Sequence, residues 1–196
     1  MALIDATTLA RVKLQLGIET ADDTHDTIID TMIDAVSKQI QSYIGRSLSQ
    51  EARTEEYDVS PRMRTLFLRE FPVTVLTSIK NSTDWSFSSV DALDSALYHL
   101  ISHDGRVILN FVPAPGPKAF QVVYTAGLAT NTTNLIANYP DIVTAADFQV
   151  TDMWQKRDDP GTTVRALQGS REEFVSGYRL LHSVKELLSP YKRRRY

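Results

Sequence analysis

Any chemistry in this chain has to come from four histidines, a few clustered acids and the hydroxyl residues, because there is no cysteine to serve as nucleophile, thiolate ligand or disulfide partner. The histidines are His25, His99, His103 and His182. None belongs to a His-x-x-x-His or Glu-x-x-His pair, the spacings that place two ligands on one helical face, so zinc and di-iron sites have no support. There is no Gly-x-Ser-x-Gly elbow, no Gly-x-Gly-x-x-Gly and no Gly-x-x-x-x-Gly-Lys-Ser/Thr, which excludes a serine hydrolase of that kind and a local phosphate cradle. Asp22, Asp23 and Asp26 stand at the start of a helical run. There the helix dipole favours acids by typically ~0.3–1 kcal/mol, with no metal needed. Asp158-Asp159 lead into Pro160-Gly161 and read as turn chemistry. His103 beside Asp104 is the pair a hydrolase would use, and it falls in a turn. The expectation is a non-enzymatic protein with no catalytic residue, no metal and no cofactor.

Contact chemistry is better represented. The chain closes Tyr191-Lys192-Arg193-Arg194-Arg195-Tyr196, its one basic cluster, suited to DNA phosphates or to an acidic protein surface. Residues 1–34 hold seven acids (Asp5, Glu19, Asp22, Asp23, Asp26, Asp30, Asp34) against Arg11 and Lys13. Acid at one end and base at the other suit contacts between unlike surfaces, including those of two copies of one chain. Trp85 and Phe87 fall in a polar stretch and read either as an interface loop or as pins holding that loop to a sheet. A net charge of −3 argues against a chain built to coat nucleic acid. No stretch approaches the ~18 apolar residues of a membrane span, and no basic-then-apolar leader opens the chain. Asn81-Ser82-Thr83 and Asn131-Thr132-Thr133 match the glycosylation pattern by chance.

Three blocks position these residues. The first is helical: a short helix over Asp5–Leu16 closed by Gly17, then a long amphipathic helix from Asp23 to Gly45, in which Ile28, Ile29, Met32, Ile33, Val36, Ile40, Tyr43 and Ile44 recur at three- and four-residue spacing. The second changes period. Runs at Leu66–Leu68, Val73–Lys80, Tyr98–Ser102, Arg106–Phe111 and Ala119–Tyr124 read as strands, and Asp104-Gly105 marks a hairpin. The stretch Asn81 to Ser95 reads as a loop with a helical turn at Val90–Leu93. The third block returns to helix, from Pro140 to Trp154 and from Tyr178 to Leu188. These blocks predict an α+β fold: a mostly helical core over 1–53 and 128–196, made of the long amphipathic helix and the N- and C-terminal helices, with a β-rich insertion over 54–127.

Several pieces together resemble the tailed-phage head–tail connector (adaptor, head-completion) proteins. They are the opening Leu3–Lys13 with Leu16-Gly17-Ile18, the ending Tyr43-Ile44-Gly45-Arg46-Ser47-Leu48 of the long helix, Arg69-Glu70-Phe71-Pro72-Val73, the Asp104-Gly105 hairpin, Tyr124-Thr125-Ala126-Gly127, and the close Leu187-Leu188-Ser189-Pro190-Tyr191-Lys192-Arg193-Arg194-Arg195. Two stretches depart from the pattern: Leu128 to Tyr139 is long for a link, and Asn81 to Ser95 looks like an added loop. The resemblance implies a structural subunit forming a ring, twelvefold in the virion, beneath the portal protein. That ring extends the DNA channel without sequence specificity and offers a surface to the next connector, stopper or tail protein. It implies assembly in the host cytoplasm, residence in the virion neck, no membrane, and portal binding through Tyr191–Tyr196. Rival readings are another neck or tail ring component such as a tail terminator, and a sequence-independent DNA-binding module using the basic tail.

Overall fold

The apolar repeat from Ile28 to Ile44 folds as the longest helix of the chain. The computed structural model describes residues 4–157 and 179–193. The expected break at Asp158–Gly161, the polar stretch to Gly177, the expected helix start Tyr178, and Arg194, Arg195 and Tyr196 lie outside the described residues. The chain divides into two units, residues 1–45 with 131–196, and residues 46–130.

The described part of the first unit is helical. α1 (Leu9–Leu16) ends on Gly17 in the left-handed conformation, φ 71°, and α2 (Asp26–Ile44) ends the same way on Gly45, φ 69°, whose N–H donates to the Gln41 carbonyl at 2.9 Å. Ile29, Ile33, Val36, Ile40 and Ile44 form the buried stripe of α2. α1 starts later than its sequence implies. Asp5 to Thr8 is a non-helical strap instead: the Ala6 N–H donates to Ser37 Oγ at 2.9 Å and the Thr7 hydroxyl donates to the buried Asp147 carboxylate. Tertiary partners for these polar groups outweigh one more helical turn. α3 (Thr132–Asn138) occupies the stretch read as a link, capped by the Asn131 side chain, which accepts from the Asn134 N–H at 2.8 Å. α4 (Pro140–Gln155) buries Ile142, Val143, Ala146, Val150 and Met153, and α5 (His182–Leu188) buries Val184 and Leu188. Gln149 is fully buried in α4, and its Oε1 accepts the Leu181 N–H at 2.9 Å, fixing the entry to α5.

The second unit is built of strands: β1 (Glu51–Val59), β2 (Thr65–Phe67), β3 (Val73–Asn81), β4 (Tyr98–Ile101), β5 (Arg106–Leu109) and β6 (Gly116–Ala126). They make two antiparallel three-stranded sheets, ordered β1-β6-β3 and β2-β5-β4. β4 and β5 are the hairpin turned by Asp104-Gly105. Val59, Leu66, Leu68, Val73, Ile79, Val107, Leu109, Ala119, Phe120, Val122, Tyr124 and Ala126 form the unit's own buried core.

These two sheets and their core overturn the expected mostly helical core. The strand-rich part, two antiparallel three-stranded sheets, closes over apolar side chains of its own. β1 escaped the sequence reading because its half-buried positions are Glu51, Arg53, Glu55 and Tyr57. Those side chains alternate with period two, but they are polar, so no apolar alternation marks the strand. Burial of the Glu55 carboxylate is tolerated there because it is partnered. Glu55 accepts from the Tyr57 and Tyr124 hydroxyls, the latter at 2.8 Å, and Arg53 lies 4.0 Å from Glu70. Burial above all, and the Glu55 carboxylate with it, push the Tyr124 hydroxyl up to about 12 and Tyr57 higher still.

Candidate docking surfaces

The residues that carried the family resemblance in the second unit converge on one another. The Arg46 guanidinium stacks 3.8 Å from the Phe71 ring, and the Ser47 N–H donates to Glu70 at 3.2 Å. The Glu70 N–H donates to the Tyr124 hydroxyl at 3.2 Å, and the Gly127 N–H to the Pro72 carbonyl at 3.2 Å. A methyl group at Gly105 would stand 3.0 Å from the Phe71 side chain. Segments 46–48, 69–73, 104–105 and 124–127 are therefore one packed knot. Their chemistry is that of holding strands in place, not of offering a surface.

In the first unit the closing motif meets the end of α2. After α5 comes a 3-10 turn, Ser189–Tyr191, with Pro190 in its first positions. The Tyr191 hydroxyl donates to Asp141 at 3.2 Å and its ring meets Tyr139 edge-on at 5.9 Å. Partial burial, then the Asp141 charge, raise the Tyr191 hydroxyl above the usual tyrosine value. Lys192 Nζ lies 4.7 Å from the centre of the Tyr43 ring, and the Arg193 N–H donates to the Ile44 carbonyl at 2.7 Å. Cations at the last turn of α2 complement its dipole. Of the six tail residues named from sequence, Tyr191, Lys192 and Arg193 form this anchored stem; Arg194, Arg195 and Tyr196 lie outside the described residues.

The pair Trp85 and Phe87 splits. Phe87 is buried, and its carbonyl accepts from Lys80 Nζ at 2.7 Å, so it ties the loop to β3. Trp85 is 63% exposed, with φ 60° and its indole N–H donating to the Pro117 carbonyl at 2.8 Å. The loop around it is set by Asp84, which accepts from the Ser82 hydroxyl and, at 3.1 Å, from the Ser86 N–H; these bonds hold its carboxyl below the usual range.

The acidic start also resolves into separate jobs. Lys13 is buried against Asp26, and its ammonium donates to the carbonyls of Asp22 at 2.7 Å and Thr20 at 3.3 Å, so it organises the link between α1 and α2. Arg11 meets Asp147 at 2.8 Å. Asp5, by contrast, is pushed above the usual carboxylate range by partial burial and then by Asp34 and Asp30. His103 and Asp104 lie 3.4 Å apart in the hairpin turn, with Arg106 3.9 Å from the same carboxylate; His103 is almost fully exposed. Among the described residues no group of three or more His, Asp or Glu side chains could hold a metal ion. No described helix is long and apolar enough to cross a membrane.

Sequence reading passed over Lys13, whose burial nothing local announces, and the knot's Glu70 and Tyr124, whose pairing is long-range. The period-two polar pattern Glu51, Arg53, Glu55, Tyr57 was the available clue to the Glu55 cluster.

No curated protein sequence matches the chain. Solved structures that share its fold over 100% of its length include chains of gene transfer agent particles. A chain from the neck of an empty GTA particle computed with C6 symmetry is matched over 97% of that chain, with TM-score 0.61 and 15% identity. A chain from the virion of the native gene transfer agent particle is matched over 94%, with TM-score 0.60 and 15% identity. A chain from the neck of the native GTA particle computed with C12 symmetry is matched over 97%, with TM-score 0.54 and 14% identity. The family model for head completion proteins matches residues 5–194. Matched by that model over nearly its whole length, the chain belongs to the head completion protein family and serves as a structural head–tail connector subunit.

Proposed function

We propose that copies of this chain form a ring beneath the portal in the virion neck, line the DNA channel, and present the attachment surface for the next neck or tail protein. Supporting the ring are the neck assemblies of C6 and C12 symmetry whose chains share the fold. DNA passes the ring without sequence readout. Assembly follows in the host cytoplasm, where portal-bearing heads are completed.

The C-terminal segment Tyr191–Tyr196 docks on the portal. The observation that carries this is the stem: Tyr191, Lys192 and Arg193 are tied to Asp141, Tyr43 and Ile44, which fixes the root of the segment beside the end of α2. A short cationic segment with a fixed root loses less freedom on docking than a free tail. Deleting Arg194–Tyr196 leaves the stem intact. Electron microscopy of tailless heads mixed with the full chain is expected to show a new ring on the portal, and the truncated chain is expected to give none. A ring that survives truncation would remove the tail assignment; no ring with either chain would remove the connector reading at the portal.

A further inference from the structure

Two segments of the second unit carry opposite charge without internal compensation in sequence. Residues 82–96 hold Asp84, Asp91 and Asp94 and no base, whereas residues 60–69 hold Arg62, Arg64 and Arg69 and no acid. The sheet order β2-β5-β4 puts them apart. The arginine segment runs into β2, one outer strand, and the acidic loop runs through a 3-10 turn, Ser95–Leu97, into β4, the other outer strand.

Both segments are held in fixed conformations. In the acidic loop, the Trp85 indole is bonded to Pro117, and Asn81 accepts from the Ala114 N–H at 3.0 Å and donates to the Ala119 carbonyl at 3.0 Å. Asn110 donates to the Ala96 carbonyl at 3.1 Å through its side chain and to the Leu97 carbonyl at 2.8 Å through its N–H. The exposed apolar residues Trp85, Leu97 and Val112 ride on these tied segments. Trp85 and Lys118, next to its acceptor Pro117, both have positive φ, a conformation side chains rarely adopt. In the arginine segment, Arg62 also has positive φ, the Met63 N–H donates to the Ser60 carbonyl, and the Leu109 N–H donates to the Arg64 carbonyl at 2.8 Å. Arg62 and Arg64 are exposed. An exposed aromatic on a tied loop whose own acids are uncompensated in sequence has the make-up of an interface anchor.

We infer that the Trp85 loop of one copy docks on the Arg62–Arg64 segment of the next copy, a head-to-tail contact between two unlike segments of the second unit. It rests on the ring reading above and names its lateral contact. The occupant is a second copy because the complementary charge lies in this chain itself, on a different segment. A contact between two unlike faces repeats by rotation and closes a ring, which a contact between like faces does not. Opposed charge also sets register and rejects the wrong segment, since like charges would then face each other.

The absence of cysteine makes the test clean. Asp91→Cys and Arg64→Cys are made as separate variants, mixed in equal amounts, assembled into necks and treated with a short bis-maleimide. Covalent dimers are expected from the mixture and not from either variant alone, and adding Trp85→Ala to the Asp91→Cys variant should weaken the association about thirtyfold, as for a central aromatic anchor. Dimers from one variant alone would overturn the inference in favour of a like-to-like contact. Necks that contain the chain but give no dimers, or give cross-links only to other neck proteins, would overturn it and leave the connector reading standing. Particles that exclude both variants and the unaltered chain alike would overturn the connector reading itself.

Discussion

Gly127 shows how much a single position can decide. A Cβ there would lie 2.1 Å from the Ser49 carbonyl oxygen, and the residue's φ is 141°. Gly17, also at positive φ, faces open space. Gly127→Ala is therefore expected to lower stability by about 3 kcal/mol or more, and Gly17→Ala by about 1 kcal/mol, measured by urea unfolding. Charge at the residue scale gives a second contrast. The Asp5 carboxyl is raised in the folded chain, so above the ordinary carboxylate range the folded state keeps a proton that the unfolded chain has released. Its favourable contribution is complete at low pH and is lost as pH rises through the raised value. Asp34→Asn removes the neighbour responsible for much of this and also the like-charge i,i+4 pair with Asp30. The variant should be more stable than the parent by about 0.5 kcal/mol at pH 7, with the difference vanishing near pH 3. A constant difference across that range would count against the carboxyl contact.

At the scale of elements, the link between α1 and α2 depends on one buried cation. Lys13 holds Asp26 and two carbonyls of residues 20 and 22. Lys13→Met would keep the stem's packing but leave Asp26 and those carbonyls without their cation, at a cost of about 3 kcal/mol. Hydrogen exchange should accelerate first in residues 18–25 and the first turn of α2, before α4 is affected. Uniform acceleration through the first unit would show that Lys13 contributes only to global stability. The outer strand β3 carries register shifts between Val73 and Val75 and between Leu76 and Ser78. Such irregularities discourage pairing with a stray strand, a hazard for any sheet with open edges.

At the scale of the whole molecule, residues 46–130 are contiguous in the chain and close on themselves. Ser49 bridges Ala129, and the Gln50 N–H donates to the Ala129 carbonyl at 2.8 Å. With its own core and its ends together, this segment expressed alone is expected to unfold cooperatively, with strand-type circular dichroism. A fragment without a cooperative transition would mean that its core needs the rest of the chain.

The long apolar repeat of α2, the glycines that end α1 and α2, Pro140 at the head of α4 and the Asp104-Gly105 hairpin were legible in the amino-acid sequence. Each is a local rule: helical periodicity, a residue that tolerates positive φ, a preset φ, a short turn closed by a glycine. The conjunction of family-like pieces was legible too, though not why they recur; in the structure Arg46, Glu70, Phe71, Gly105, Tyr124 and Gly127 prove to be one packed knot. What only the tertiary structure decided was non-local. β1 is a strand because Tyr124 and Glu70, far along the chain, partner its polar inward side chains. Phe87 is buried while Trp85, two residues away, is exposed, since the choice depends on Lys80 and Pro117. The balance between helical and strand-built cores followed the same logic: an apolar pattern shows that a segment buries a face, but the partner against which it does so comes from the fold.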